Sequence, residues 1–342
     1  MKILLIGAGS IGKRHLRNLL NIGWKDITVV SRNGVLPNEF NNNSVYPTTE
    51  DALMNKNFDA AFVCTPTACH TKQLIELLQK RIQFIYIEKP LSNSFACLDK
   101  VLKLANSYSP NIVVGYDLHF EPGLQKVREL LQQKAIGQVI SANAFVGQHL
   151  SQWRPYEDYR HGMSAKKETG GGVMLDLIHE VDYLYWLLGD VESVACSYIN
   201  TGELEIETEE AAEILLKFSG GTMATIHLDY WQPQLRRFCI FTGTKGTVNW
   251  DMAEQKVTVT NTQTQEEFSY KAFSRNDKFI SIVKTFLECP GDERLTNVHE
   301  AMQSLKIILA AKQAAENNCV VSLSKWSVNG QYKQEQNVEE TQ

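Results

Sequence analysis

Lys2-Ile3-Leu4-Leu5-Ile6-Gly7-Ala8-Gly9-Ser10-Ile11-Gly12 stands at the start of the sequence and decides how the rest is read. A short apolar strand runs directly into glycines at 7, 9 and 12, and an amphipathic stretch over 11–22 follows. This is the order that a pyrophosphate site requires. Gly7 permits the tight turn, Gly9 lets backbone approach a phosphate with no side chain in the way, and Gly12 lets the helix pack on the strand. The free amides at the helix start, those of Ser10 and Ile11 among them, then point at the anion. A bare glycine pattern is weak evidence, but one set between strand and helix is strong; the alternative is a merely structural turn.

Working outward, the second strand, 27–30, ends at Ser31-Arg32-Asn33, where a dinucleotide fold for NAD usually carries an acidic residue for the ribose hydroxyls. None is there. A serine hydroxyl and an arginine fork suit a 2′-phosphate, so NADP is expected over NAD, against the alternative of a solvated polar turn. The polar loop 38–44 carries no evident chemistry. Strands at 59–64, 84–87 and 111–115 alternate with helical segments near 71–80 and 95–105, the pattern of a doubly wound parallel sheet. The turn Cys64-Thr65-Pro66-Thr67 falls at a carboxyl edge, where backbone and hydroxyl groups reach the nicotinamide side of a cofactor. His70 reads either as another contact there or as a cap on the next helix, and the cap is the reading favoured.

In Ile87-Glu88-Lys89-Pro90-Leu91, the proline halts a buried strand and biases Lys89 toward extended backbone. Lys89 is thereby expected at the carboxyl edge of the sheet, where open α/β folds bind ligands. The plain alternative is a surface lysine in a strand-to-helix turn.

A chain of 342 residues exceeds what one core usually supports, so two domains are expected: 1–120 for the dinucleotide, 121–326 for substrate and oligomerisation, and a polar tail over 327–342. A formal charge of -5 gives no reason to expect a nucleic-acid partner. The first apolar run is too short for a signal peptide and no stretch approaches a membrane span, which makes the cytoplasm the default. Seven scattered cysteines lack the paired spacing of a zinc site and read as reduced thiols, with no metal implied.

Beyond Pro122, a helix over 124–131 leads to strands at 138–145, 191–199, 212–218, 222–230, 237–242, 247–250 and 256–261. Glycine turns between several of them indicate hairpins and a large, open, mostly antiparallel sheet. Between strands lies Gly170-Gly171-Gly172 and then an apolar segment, 173–188, expected as one buried helix. Asp176, His179, Glu180 and Tyr183 form a polar stripe on it at i, i+3, i+4 and i+7. Burying such groups costs several kcal/mol each, to order of magnitude, unless they are paired or face a wet cleft. His179 is the leading acid/base candidate, against the alternative of a satisfied core network. The loop holding Trp153, Arg154, Tyr159, Lys166 and Lys167 mixes aromatic and cationic residues. It suits a nucleotide-linked sugar and suits equally a lid or an inter-subunit arm. Asn297 and Glu300 resemble a capping box opening a long core helix.

Taken in order, GAGSIGKRHLRNL, CTPTACH, IEKPLS and GYDLHFEP resemble the family of glucose-fructose oxidoreductase, inositol dehydrogenase and MocA, over residues 1 to 324. The Glu88-Lys89-Pro90 triplet is the most diagnostic match. The resemblance implies an NAD(P)-dependent enzyme acting on sugars, sugar nucleotides or cyclitols, commonly dimeric or tetrameric through the second sheet. It implies His179 as the acid/base or substrate-orienting group, an aspartate about one turn earlier binding hydroxyls, and Tyr116 and His119 on the substrate side; Lys89, by its place at the sheet edge, is expected to supply or accept the proton with His179. Two features depart from the pattern: Asp117 and His119 stand where many members have asparagine and arginine, and Asp176 precedes His179 by three residues rather than four. A non-catalytic NADP-sensing protein on the same fold is the competing class. A metal site at Asp176, His179 and Glu180 is a weaker third reading.

Overall fold

The computed structural model describes residues 1–34, 36, 40 and 43–326; most of the polar loop 38–44 and the whole tail 327–342 lie outside them. The first sheet is built from four-residue apolar strands, β1 (Ile3–Ile6), β2 (Ile27–Val30), a short β3 (Ser44–Tyr46), β4 (Ala60–Val63), β5 (Phe84–Ile87) and β6 (Asn111–Val114). All six are parallel, and β1 lies between β2 and β4. Runs buried on both faces, such as Ile3–Ile6 and Ala60–Val63, explain why helices cover the sheet on either side. The chain leaves β1 toward β2 and returns on the other side at β4, so the order reverses there. A crevice opens at such a switch point, beyond the carboxyl ends of the strands.

The second sheet comprises β7 (Val139–Gly147), β8 (Val191–Ile199), β9 (Ala211–Phe218), β10 (Met223–Asp229), β11 (Arg236–Gly243), β12 (Gly246–Asp251), β13 (Lys256–Thr260) and β14 (Gln265–Ser269). Its neighbours are antiparallel apart from β7 and β10. On β9, Ala212, Ile214, Leu216 and Phe218 are buried while Glu213, Leu215 and Lys217 are exposed, so one face meets the core and the other stays open. β14 was not expected from the sequence. Its residues, Gln-Glu-Glu-Phe-Ser, are polar apart from Phe268, which packs against the core, because it is an edge strand otherwise exposed.

Two late strands return the chain to both sheets: β15 (Thr296–Asn297) pairs antiparallel with β6, and β16 (Val321–Ser322) pairs with β8. The helix Asp277–Glu288 also comes back, packing Ile282, Val283, Phe286 and Leu287 into the first core with Phe62 and Tyr86. Residues far along the chain thereby reach the first sheet. The capping box is present at Asn297 and Glu300. The helix expected from Phe95 begins at Leu98 instead, after Cys97 takes a left-handed conformation.

The expected helix over 173–188 is two helices, Val173–Asp176 and His179–Leu188. Leu177 and Ile178 break it. The Glu180 amide bonds the carbonyl of Leu177 rather than that of Asp176, which leaves the Asp176 carbonyl outside the helical ladder.

Candidate active site

A groove of about 820 Å³ runs along the crevice of the first sheet. Its floor holds Gly7, Gly9, Ser10, Ile11, Ser31, Arg32, Cys64, Thr65 and Pro66. Gly7 has φ +100, and a Cβ there would lie 2.7 Å from the Cys64 carbonyl oxygen; a Cβ on Gly12 would lie 1.9 Å from the Gly7 oxygen. Beside Gly9 there is open space. The helix Ser10–Asn21 starts without a side-chain cap and without an acidic residue in its first turn, so its amide end is left for an anion. These are the requirements of a dinucleotide diphosphate, and the residues present fit one.

At the end of β5, Lys89 meets the break in the second half. Its Nζ donates to the freed Asp176 carbonyl at 2.5 Å. The Asp176 carboxylate turns the other way and accepts from the Tyr230 hydroxyl at 2.7 Å. Trp153 stands edge-on to the Tyr230 ring at 5.5 Å, bracing it.

His179 begins the next helix, with Nε2 3.3 Å from Asp117 Oδ1. Burial holds its pKa well below the usual histidine range, with the nearby Asp117 carboxylate working against burial and the charges of Lys89, Arg237 and Lys278 adding to it. A neutral imidazole beside a carboxylate donates from Nε2, leaving the Nδ1 lone pair open. That Nδ1 is buried and has no protein partner among the described residues. Asp117 also takes the Lys278 ammonium on Oδ2 at 2.7 Å. Burial alone would raise the Asp117 carboxyl, but Lys278 and His179 outweigh it and hold it far below the usual range. Glu180 leaves the cleft altogether, paired with Arg237 at 2.8 Å.

The polar stripe expected on one helix is thus divided by the break. Asp176 and His179 stay with Lys89, while Glu180 goes to Arg237 and Tyr183 packs edge-on to Trp250. No group of three or more His, Cys, Asp and Glu side chains among the described residues is arranged to hold a metal.

Several expected contacts stand behind the groove rather than in it. Gly12 packs against the Gly7 turn, and Glu88 is buried against His15 at 2.6 Å. Thr67 packs under Gly170. His70 neither lines the groove nor caps its helix: its ring bonds the carbonyls of Pro90 at 2.8 Å and Thr65 at 3.0 Å, tying the two turns together. Tyr116 is fully buried, edge-on to His179 at 5.8 Å. His119, expected on the substrate side, is held in the core by Asp182 at 2.9 Å, the Arg294 carbonyl and a stacked Trp186 at 4.2 Å. Arg154 lines the dinucleotide groove together with Glu157 and Met163, and Tyr159 packs on His149.

Sequence reasoning missed Lys278, Arg237 and Tyr230. Each carried a signal. Lys278 occupies the inward stripe of its helix with Ile282 and Phe286, and Arg237 alternates inward with Cys239 and Phe241 on β11. Polar groups on apolar faces need partners, and these have them.

The sequence matches the oxidoreductase family with an NAD-binding Rossmann fold over residues 1–116, and the GFO/IDH/MocA C-terminal domain over residues 124–249. An uncharacterized oxidoreductase of Bacillus subtilis is 26% identical over 232 residues, spanning 65% of this chain and 65% of that protein, just under two thirds of its length. The myo-inositol 2-dehydrogenase of Thermotoga maritima is 24% identical over 349 residues, spanning 94% of this chain and 98% of that protein. Among solved structures, the WlbA dehydrogenase of Bordetella pertussis, in complex with NADH and UDP-GlcNAcA, shares the fold at a TM-score of 0.78 and 21% identity, over 94% of this chain and 97% of that one.

Proposed function

The chain belongs to the GFO/IDH/MocA oxidoreductase family, with its NAD-binding Rossmann fold, and from that premise we propose that it moves a hydride between a nicotinamide and a secondary alcohol or ketone carbon of a sugar, sugar nucleotide or cyclitol. One observation supports the reading: Lys89 Nζ, from the first sheet, donates to the Asp176 carbonyl at the break in the helix of the second half, three residues before His179. Bound nicotinamide supplies the hydride acceptor or donor at its C4.

The protein's own groups handle the proton. In the oxidation direction, the neutral His179 takes the hydroxyl proton, while the Asp117 carboxylate beside its Nε2 stabilises the imidazolium that forms. The Lys89 ammonium holds the substrate oxygen as negative charge develops there. In the reverse direction His179 returns the proton to the alkoxide. Positioned proton transfer of this kind contributes about 10² to 10⁴ in rate. Asp176, fixed by Tyr230, is the acceptor for a second hydroxyl.

Ser31 and Arg32 at the groove support a preference for NADP over NAD. The open face of the second sheet, with Leu215 and Met223 exposed, supports a homodimer or homotetramer. Among the described residues no helix is long and apolar enough to cross a membrane, and we place the protein in the cytoplasm. The test is a paired screen: NADPH and NADH oxidation against nucleotide-linked keto-sugars, with NADP and NAD reduction by free polyols and sugars. Hydride exchange with a member of either panel is the expected result. Cofactor binding with no exchange across both panels would instead assign the chain to a cofactor-sensing role.

A further inference from the structure

Two turns at the carboxyl edge of the first sheet are joined by the start of one helix. The turn after β4 brings Thr65 and Pro66 to the dinucleotide groove, and the turn after β5 presents Lys89 to the Asp176 carbonyl. The helix His70–Gln79 is bonded to both. On the groove side, the Thr65 carbonyl faces His70 Nε2 at 3.0 Å, and the Thr65 hydroxyl donates to Gln73 Oε1. On the other side, His70 Nδ1 faces the Pro90 carbonyl at 2.8 Å, and the Thr71 hydroxyl donates to Ser92 Oγ at 3.0 Å.

His70 is 1% exposed and does not line the groove, so its place is behind the two turns. Burial pushes its pKa below the ordinary histidine value, against the two carbonyls and Glu88, and the Lys89 charge adds to the fall. A neutral imidazole carries one N–H and serves one carbonyl at a time. The tighter contact is with Pro90, the residue next to Lys89; without the ring that carbonyl loses its buried donor. The join is closed from the second half as well, because a Cβ on Gly170 would lie 3.0 Å from both Thr67 and Asn93. The same two turns therefore bear on the loop that leads to Asp176 and His179.

Resting on the oxidoreductase reading above, we propose that His70 is a positioning residue for hydride transfer, holding the turn of Lys89 at a fixed place against the cofactor turn. It acts through Lys89 and exchanges no proton with the substrate. Misplacing a positioned group by about 1 Å costs on the order of 10²-fold in rate, so the tie governs kcat rather than cofactor affinity.

Three variants separate the two contacts. In His70→Asn the amide nitrogen takes the place of Nδ1 and keeps the bond to Pro90; in His70→Gln it takes the place of Nε2 and keeps that to Thr65; His70→Leu keeps neither. In the full chain saturated with NADH, labelling of Lys89 by acetic anhydride is followed by mass spectrometry against the exposed Lys103. Turnover is measured with the most active member of the sugar panels above. The expected result is that His70→Leu and His70→Gln label Lys89 about threefold faster or more and lower kcat about 10- to 100-fold, while His70→Asn stays near the parent in both. KM and the NADH dissociation constant should move less than about threefold in all three, the mark of a group that acts on the transition state. Parent labelling and parent kcat in His70→Leu overturn the role. So does a fall in NADH affinity as large as that in kcat, which would make His70 a support of the cofactor site alone. If His70→Leu does not fold, the comparison of Asn with Gln decides, and equal values for the two overturn the role. Faster Lys89 labelling in a chain that exchanges hydride with neither panel keeps the tie and removes the oxidoreductase reading; exchange at the parent rate in His70→Leu does the reverse.

Discussion

Replacing Lys278 with Met strips Asp117 of its ammonium while keeping the volume of the side chain. Asp117 is 4% exposed and Lys278 6% exposed, with 2.7 Å between Nζ and Oδ2. At that separation two unit charges attract by about 6 kcal/mol in a medium of effective dielectric near 20. Leaving lysine in water recovers part of this, so the expected net loss is about 3–5 kcal/mol, the usual cost of orphaning one member of a buried pair. Urea unfolding at neutral pH reads it. Asp117→Asn should destabilise by a similar route, leaving the cation unpaired, and the double variant should recover part of the loss through the coupling between the two sites.

Kinetics supply an independent sign. Lys278 helps to depress the His179 pKa and Asp117 raises it. Lys278→Met should therefore move the acid limb of kcat/KM to higher pH, and Asp117→Asn should move it lower. Shifts in the same direction, or single losses that simply add in the double variant, would refute the assignment of one Lys278–Asp117–His179 chain.

Four further outcomes follow from the geometry. Because the His179 pKa falls on folding, its contribution to stability should be fully present above the unfolded value near 6.5 and lost as pH drops below it; His179→Asn should flatten urea-derived stability between pH 7 and pH 5. Gly12→Ala forces a methyl to 1.9 Å from the Gly7 oxygen, and should raise the NADH dissociation constant more than about tenfold, measured by fluorescence titration, because backbone strain costs about 1–3 kcal/mol. Arg32→Ala should weaken NADPH far more than NADH in the same titration, and equal weakening removes the 2′-phosphate argument. Tyr230→Phe deletes the donor to buried Asp176, a loss of about 1–3 kcal/mol that should appear as a lower kcat/KM with NADH affinity retained.

The parallel sheet was legible because its strands are short apolar runs punctuated by glycine and proline, and the second sheet because inward and outward residues alternate. Lys89 was legible for a local reason, the proline after it. What the sequence hid lies in contacts between distant segments. The apolar run 173–188 has no breaker residue, yet the helix breaks at Leu177 and Ile178, where Lys89, 87 positions from Asp176, occupies the carbonyl that the break leaves free. Asp117 looked like a departure in an otherwise familiar motif, and its reason is Lys278, on a helix that returns to the first sheet. His119 is the same case with Asp182. In each case an ionisable group is turned inward together with its partner, and a linear reading sees only one half of each pair.

Lys89→Ala, assayed for NADH affinity and for hydride exchange with the best sugar of the screen, tests the convergence of the two halves most directly. The expected result is a dissociation constant for NADH within about threefold of the parent, since the groove lining omits Lys89, and a kcat lower by about 10² to 10⁴. Turnover at the parent rate would take Lys89 out of the chemistry and leave the meeting of Lys89 with Asp176 as packing alone.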